Sequence, residues 1–182
     1  MDSPEMTKRL ALLADGEALP VVAYLHGCTG IGNLDFIRSL ADEGFAVVAP
    51  NSFALEQLWS VEWAGWSRMV LAGTSEGAVA VALYRGDEFK GRVIAQWTCN
   101  GAPFVAGLDA PSDEPIFSVV GADDPWYADS EEGETREDCS KFFGDRPGSR
   151  SEFIYKPKAH NVFQNTAMVE AIIYFLTAAV AR

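Results

Sequence analysis

No apolar run in this 182-residue chain reaches the 18 or so residues that a membrane-spanning helix requires. Residues 1–8 lack the basic-then-apolar order of a secretory signal. Both absences predict a soluble, cytoplasmic protein. Basic residues are scarce: 14 Lys and Arg stand against 26 Asp and Glu, giving a formal charge of −12. Such a field repels phosphate backbones and anionic lipid, so nucleic acid and membrane surfaces are poor partners. The three cysteines, Cys28, Cys99 and Cys139, are odd in number and separated by long, irregular gaps. Structural zinc needs close Cys or His pairs and a disulfide framework needs an even count, so three reduced thiols are expected, with no metal or other cofactor implied. The phosphate-cradling patterns G-x-x-x-x-G-K-[ST] and G-x-G-x-x-G are also missing, which argues against a nucleotide loop.

What the chain does have is apolar content, 48% of residues, spread from end to end without a repeat or a linker. One domain over residues 1–182 is expected, burying roughly 70% of the surface that the unfolded chain exposes. Short apolar runs alternate with Gly-rich or Asp-rich turns and longer helical periods, the pattern of β and α units in a parallel sheet. Strands are expected at residues 19–25 (LPVVAYL), 45–49, 69–72, 93–97, 116–120 and 153–155. Helices are expected at 34–41, stopped by Gly44, and at 78–84, 130–143 and 166–181. The stretch 51–67 is short for a crossover but holds two or three helical turns, and residues 1–18 supply at most an edge strand around 10–13.

Gly73-Thr74-Ser75-Glu76-Gly77 is a G-x-S-x-G pattern lying where an apolar strand hands over to an Ala-rich helix. A nucleophile at such a turn sits in a strained backbone position, and glycines flank it because side chains there would collide with the adjoining strand and helix. Ser75 is therefore the candidate nucleophile; the plainer alternative is an ordinary helix cap. His26-Gly27-Cys28-Thr29-Gly30 follows the first strand and can offer the backbone N–H of Cys28, while Glu76 offers another; two such donors would steady the charge of a tetrahedral intermediate. Cys28 is a rival nucleophile, because a thiol near a helix N-terminus can be acidified. Only two histidines exist. His26 belongs to the glycine-rich turn and is expected to brace it, which leaves His160, after the last strand, as the general base. The acid that orients it should also follow a strand, which selects Asp124, with Asp123 as the alternative.

The motifs at residues 26–30, 49–53, 73–77, 121–124 and 159–160 together resemble the dienelactone hydrolase branch of the α/β-hydrolase superfamily, over residues 19 to 182. The resemblance implies a three-layer α/β-hydrolase fold with a mostly parallel sheet of about six or seven strands. The fold is reduced at the N-terminus and between the second and third strands, with no cap domain. It implies a serine hydrolase that cleaves a carboxylic ester, or a lactone or thioester, through an acyl-enzyme, without metal or cofactor. The triad would be Ser75, Asp124 and His160. Dienelactone hydrolases proper carry a cysteine nucleophile, so the serine here points to a different ester. The alternative is a non-catalytic small-molecule binding or interaction module on the same fold.

Trp59, Trp63 and Trp66 would share one helical face, packed on the sheet or covering a homodimer contact or substrate wall. Trp126 and Tyr127, after the acid loop, are placed to line the pocket mouth. The acidic run 129–138 reads as a solvated helix face, and Lys156 and Lys158 as loop lysines beside His160.

Overall fold

Short apolar runs, buried on both faces, build the middle of the molecule. The structure, a computed structural model, describes residues 4–14, 17–50, 63–97, 107–122, 124, 139–154 and 161–182. The strands are β1 (Leu19–Leu25), β2 (Ala46–Val48), β3 (Ala64–Thr74), β4 (Arg92–Ala95), β5 (Ile116–Gly121) and β6 (Arg150–Ile154). They form one sheet in the order β2-β1-β3-β4-β5-β6, and every pairing is parallel.

Side chains alternate across a strand, and here both alternating sets meet apolar cover. Val21, Ala23, Leu25, Met69 and Leu71 pack with Ala78, Val81 and Ala82 of helix α3 (Glu76–Leu83). Their neighbours Val22, Tyr24, Val70 and Ala72 pack on the other face, with Phe36 and Leu40 of α2 (Leu34–Asp42) and Ile172 and Leu176 of α4 (Thr166–Val180). Helix, sheet and helix thus make three layers. This is the α/β arrangement that the sequence predicts, and no cap domain is present among the described residues.

The chain leaves β1 for β2 on one side and then crosses back to β3 on the other. At such a reversal the C-terminal ends of the two central strands part and leave a crevice where α/β proteins bind ligands. The turns that follow β1 and β3 are the two glycine-rich motifs.

Several expectations are corrected. Residues 10–13, where at most an edge strand was expected, hold no strand but the end of a helix, α1 (Pro4–Leu10), and the turn after it; proline at the first helical position, with helix-forming Met6, Lys8 and Arg9 behind it, accounts for the helix. Strand β3 begins five residues before the expected Met69, at Ala64. Leu19 and Pro20 pair with Ala64 and Gly65, and the register then shifts between Pro20 and Val21. Trp66 is consequently a strand residue and Trp63 lies in the turn before it; both pack against the α3 side of the core. Sheet pairing outweighs the helical spacing of the tryptophans, and Trp59 lies outside the described residues. Of the expected helix 130–143, only its end is described, as a short 3-10 turn (Cys139–Phe142). Cys139 is disulfide-bonded, which corrects the reading of three reduced thiols, whereas Cys28 is free.

A buried ion pair fastens the N-terminal end of β4, opposite the crevice. Arg92, fully buried, donates from Nε to Glu114 Oε2 at 2.9 Å, from Nη1 to Val81 O at 2.8 Å and from Nη2 to Gly86 O at 2.8 Å. It thereby ties the end of α3 to the loop ahead of β5. Burial pushes the Glu114 carboxyl above the ordinary carboxylate range, while Arg92 beside it pulls the other way.

Candidate active site

Ser75 joins β3 to α3 with φ +54° and ψ −120°, a region that non-glycine residues rarely enter and that costs about 1–3 kcal/mol. The surroundings hold it there. Its N–H donates to Ala95 O at 3.0 Å, and its carbonyl accepts from Ala78 N at 3.0 Å as α3 begins. A Cβ on Gly77 would lie 2.6 Å from the Leu25 carbonyl carbon and 2.7 Å from His26 O; one on Gly73 would lie 2.5 Å from Gly77 O and 2.6 Å from Val81 Cγ2. The flanking glycines are thus required by the close approach of β1 and of the helix, as the motif predicts. Ser75 stands at the N-cap of α3, yet its side chain makes no capping bond. The plain helix-cap reading therefore fails.

The turn after β1 lies directly against the elbow. A Cβ on Gly27 would come 3.0 Å from Ser75 Cβ and 3.5 Å from Ser75 Oγ, so a side chain there would press on the elbow and force it to give slightly. Within the turn, Gly30 N donates to Gly27 O at 3.0 Å, and His26 Nδ1, in the tautomer that carries its proton, donates to the same oxygen at 2.8 Å. His26 braces the turn, as expected. The exposed Cys28 thiol hydrogen-bonds to the Glu76 carboxylate, and that bond with the adjacent negative charge raises the thiol above its ordinary range. A thiol held protonated is a poor nucleophile, which favours Ser75 over Cys28. The same contact brings together the two residues whose amides are the candidate oxyanion donors.

Asp124 follows β5, two strands from β3 in the sheet. It is fully buried and its N–H donates to Gly121 O at 3.0 Å. His160, Asp123, Trp126 and Tyr127 lie outside the described residues. The chain is described again from Asn161, whose side chain accepts from Phe163 N at 3.1 Å to start a 3-10 turn (Val162–Gln164). Phe163 stacks on Phe36 of α2, with ring centroids 4.2 Å apart. Between this turn and the start of α2 runs a groove of about 640 Å³ lined by Asn33, Leu34, Arg38, Asn161 and Gln164, among others. No cluster of metal-ligating side chains occurs among the described residues.

Sequence reasoning missed a polar line beneath the elbow. Asn33 Nδ2 donates to the Tyr24 hydroxyl at 3.1 Å; Thr74 stands beside Tyr24 on the same face of the adjoining strand, and Thr74 Oγ1 donates to Gln96 Oε1. Gln96 is itself at positive φ, +60°. The available signal was a tyrosine inside an otherwise apolar strand, since a buried phenol needs a partner for its hydroxyl.

No family model matches the sequence, and no curated protein matches it. Solved structures do match, at about 15% identity, and they share the fold of the chain. The chain is similar to an S-formylglutathione hydrolase of Staphylococcus aureus, with TM-score 0.58 and 16% identity over 90% of this chain and 82% of that one. It is similar to an esterase of the archaeon Pyrobaculum calidifontis, with TM-score 0.58 and 15% identity over 92% and 79%. A protein of Klebsiella pneumoniae named as a candidate dienelactone hydrolase gives TM-score 0.56 and 15% identity over 94% and 90%.

Proposed function

We propose that the protein is a serine hydrolase that cleaves a carboxylic ester, lactone or thioester of a small molecule through an acyl-enzyme. The observation that carries this reading is the strained Ser75 elbow with the Gly27–Cys28 turn packed against it, at the crevice where the strand order reverses. The similarity in fold to hydrolases and esterases supports it. In the mechanism, Ser75 Oγ attacks the acyl carbon while His160 takes its proton, and Asp124 accepts from the imidazole and steadies its positive charge. The amides of Cys28 and Glu76 receive the oxyanion. His160 then returns the proton to the leaving alcohol and activates the water that releases the acyl group. In this reading Trp126 and Tyr127 are the side chains that contact substrate, and the working protein is cytoplasmic and pairs as a homodimer.

The test is labelling with a fluorophosphonate probe beside hydrolysis of p-nitrophenyl esters of graded acyl length. The wild type is expected to label and turn over, and Ser75→Ala to do neither. An alanine variant that labels fully would show the nucleophile to be elsewhere, and an unlabelled wild type would leave a binding module. With His160 as base, kcat/KM rises with pH as the imidazole loses its proton.

A further inference from the structure

The polar line beneath the elbow is built where apolar packing would suffice. Tyr24, Thr74 and Gln96 are 0%, 4% and 5% exposed, and Tyr24 sits in the apolar cluster between the sheet and α2. Buried hydroxyls need partners, and here they line up: the Asn33 amide donates to Tyr24, Thr74 stands beside Tyr24 on the same face of the adjoining strand, and Thr74 donates to the Gln96 carbonyl. The position of each member matters. Thr74 immediately precedes Ser75, and Asn33 closes the loop that begins at His26 and holds Cys28. Gln96 follows Ala95, whose carbonyl accepts the Ser75 N–H. Asn33 also occupies the N-cap of α2, where its side chain could cap the helix, yet it makes no capping bond; its amide reaches Tyr24 instead. The line thus connects the loop after β1, the elbow after β3 and the end of β4, the three segments that meet around the serine.

We propose that Tyr24 is a positioning residue, whose hydroxyl, bonded to Asn33 and set beside Thr74 on the adjoining strand, keeps the loop carrying Cys28 in register with the elbow carrying Ser75. This rests on the hydrolase reading and deepens it. The hydroxyl touches no substrate. It sets the separation between the serine oxygen and the loop opposite, and reaction rates fall steeply when such a separation drifts. Its loss therefore lowers the rate of acylation and leaves ground-state binding nearly untouched.

The experiment compares wild type, Tyr24→Phe, Thr74→Val, Thr74→Ser and the double variant Tyr24→Phe/Thr74→Val. It measures the rate of fluorophosphonate labelling, kcat and KM on p-nitrophenyl acetate, and the thermal midpoint. Tyr24→Phe is expected to lower labelling and kcat about tenfold, with KM within about twofold. Thr74→Val should lose as much, the double variant no more than either, and Thr74→Ser, which keeps the hydroxyl, should stay near wild type. Tyr24→Phe with wild-type kcat and labelling overturns the inference even if its midpoint falls, because a purely structural bond would behave so. Additive losses in the double variant overturn it too. If Tyr24→Phe does not fold, the Thr74→Val and Thr74→Ser pair decides alone. A wild type that does not label sinks the hydrolase reading and this inference together; a labelled wild type with an equally reactive Tyr24→Phe sinks only the inference.

Discussion

At Ser75 the main chain is held at φ +54° by neighbours that leave no room for a side chain at residue 77, and this makes the site testable by one methyl group. Gly77→Ala drives that methyl into the Leu25 and His26 carbonyls. A loss of about 1–3 kcal/mol is expected, read from the urea midpoint, together with loss of probe labelling; an unchanged midpoint would mean that the β1 end yields easily. Cys28 offers a second measurement. Its thiol is raised by the Glu76 carboxylate, so at neutral pH it holds less thiolate than a free cysteine, and its iodoacetamide rate against pH is displaced to the alkaline side. Glu76→Gln removes the opposing charge and should shift the profile back toward acid; a profile that ignores the substitution would contradict the contact. These residues were legible in the sequence because G-x-S-x-G and the glycines at 27 and 30 encode local turns. The polar neighbours of Tyr24 were not, because Asn33 lies at the far end of the following loop and Thr74 on another strand, and no local pattern announces them.

Among the elements, the strands buried on both faces were the readable ones: β1 has the expected bounds, and β5 differs by one residue, because a continuous apolar run between turn signals admits few other structures. The first half of β3 was hidden because Trp66 falls at helical spacing from Trp59 and Trp63, and only the pairing of Ala64 and Gly65 with Leu19 and Pro20 draws this stretch into the sheet. Arg92 gives the element scale its prediction. Replacing it by methionine leaves Glu114 buried without its cation and removes the bonds to the end of α3, at a cost of about 3–5 kcal/mol at neutral pH. Without the guanidinium the Glu114 carboxyl rises further above its ordinary 4.5. Because the folded variant then holds its proton more tightly than the unfolded chain does, stability is fullest below that ordinary value and is lost as pH climbs through the raised one. The deficit of Arg92→Met against wild type should therefore be smaller near pH 4.5 than near pH 8. A deficit independent of pH between chemical denaturation curves would show that Glu114 is not the group left exposed to the change.

Over the whole molecule the net charge of −12 acts on whatever approaches the crevice. Anionic esters are repelled over about one Debye length, roughly 8–10 Å at ordinary ionic strength. The ratio of kcat/KM for a neutral ester over its carboxylate-bearing analogue should accordingly shrink as salt is raised from 10 to 300 mM (about 30 to 6 Å of screening); a constant ratio would mean that the pocket itself, and not the field, sets the preference. Chain order was readable at this scale, since Ser75 follows β3 and Asp124 follows β5 as the motif order requires, whereas the Cys139 disulfide was not, because cysteine spacing alone does not reveal which thiols meet in space. The strain at the elbow belongs to main-chain carbonyls and glycines rather than to the serine hydroxyl. The contacts that hold the main chain at this elbow are accordingly made by backbone, and none that fixes φ at residue 75 depends on which atom ends its side chain.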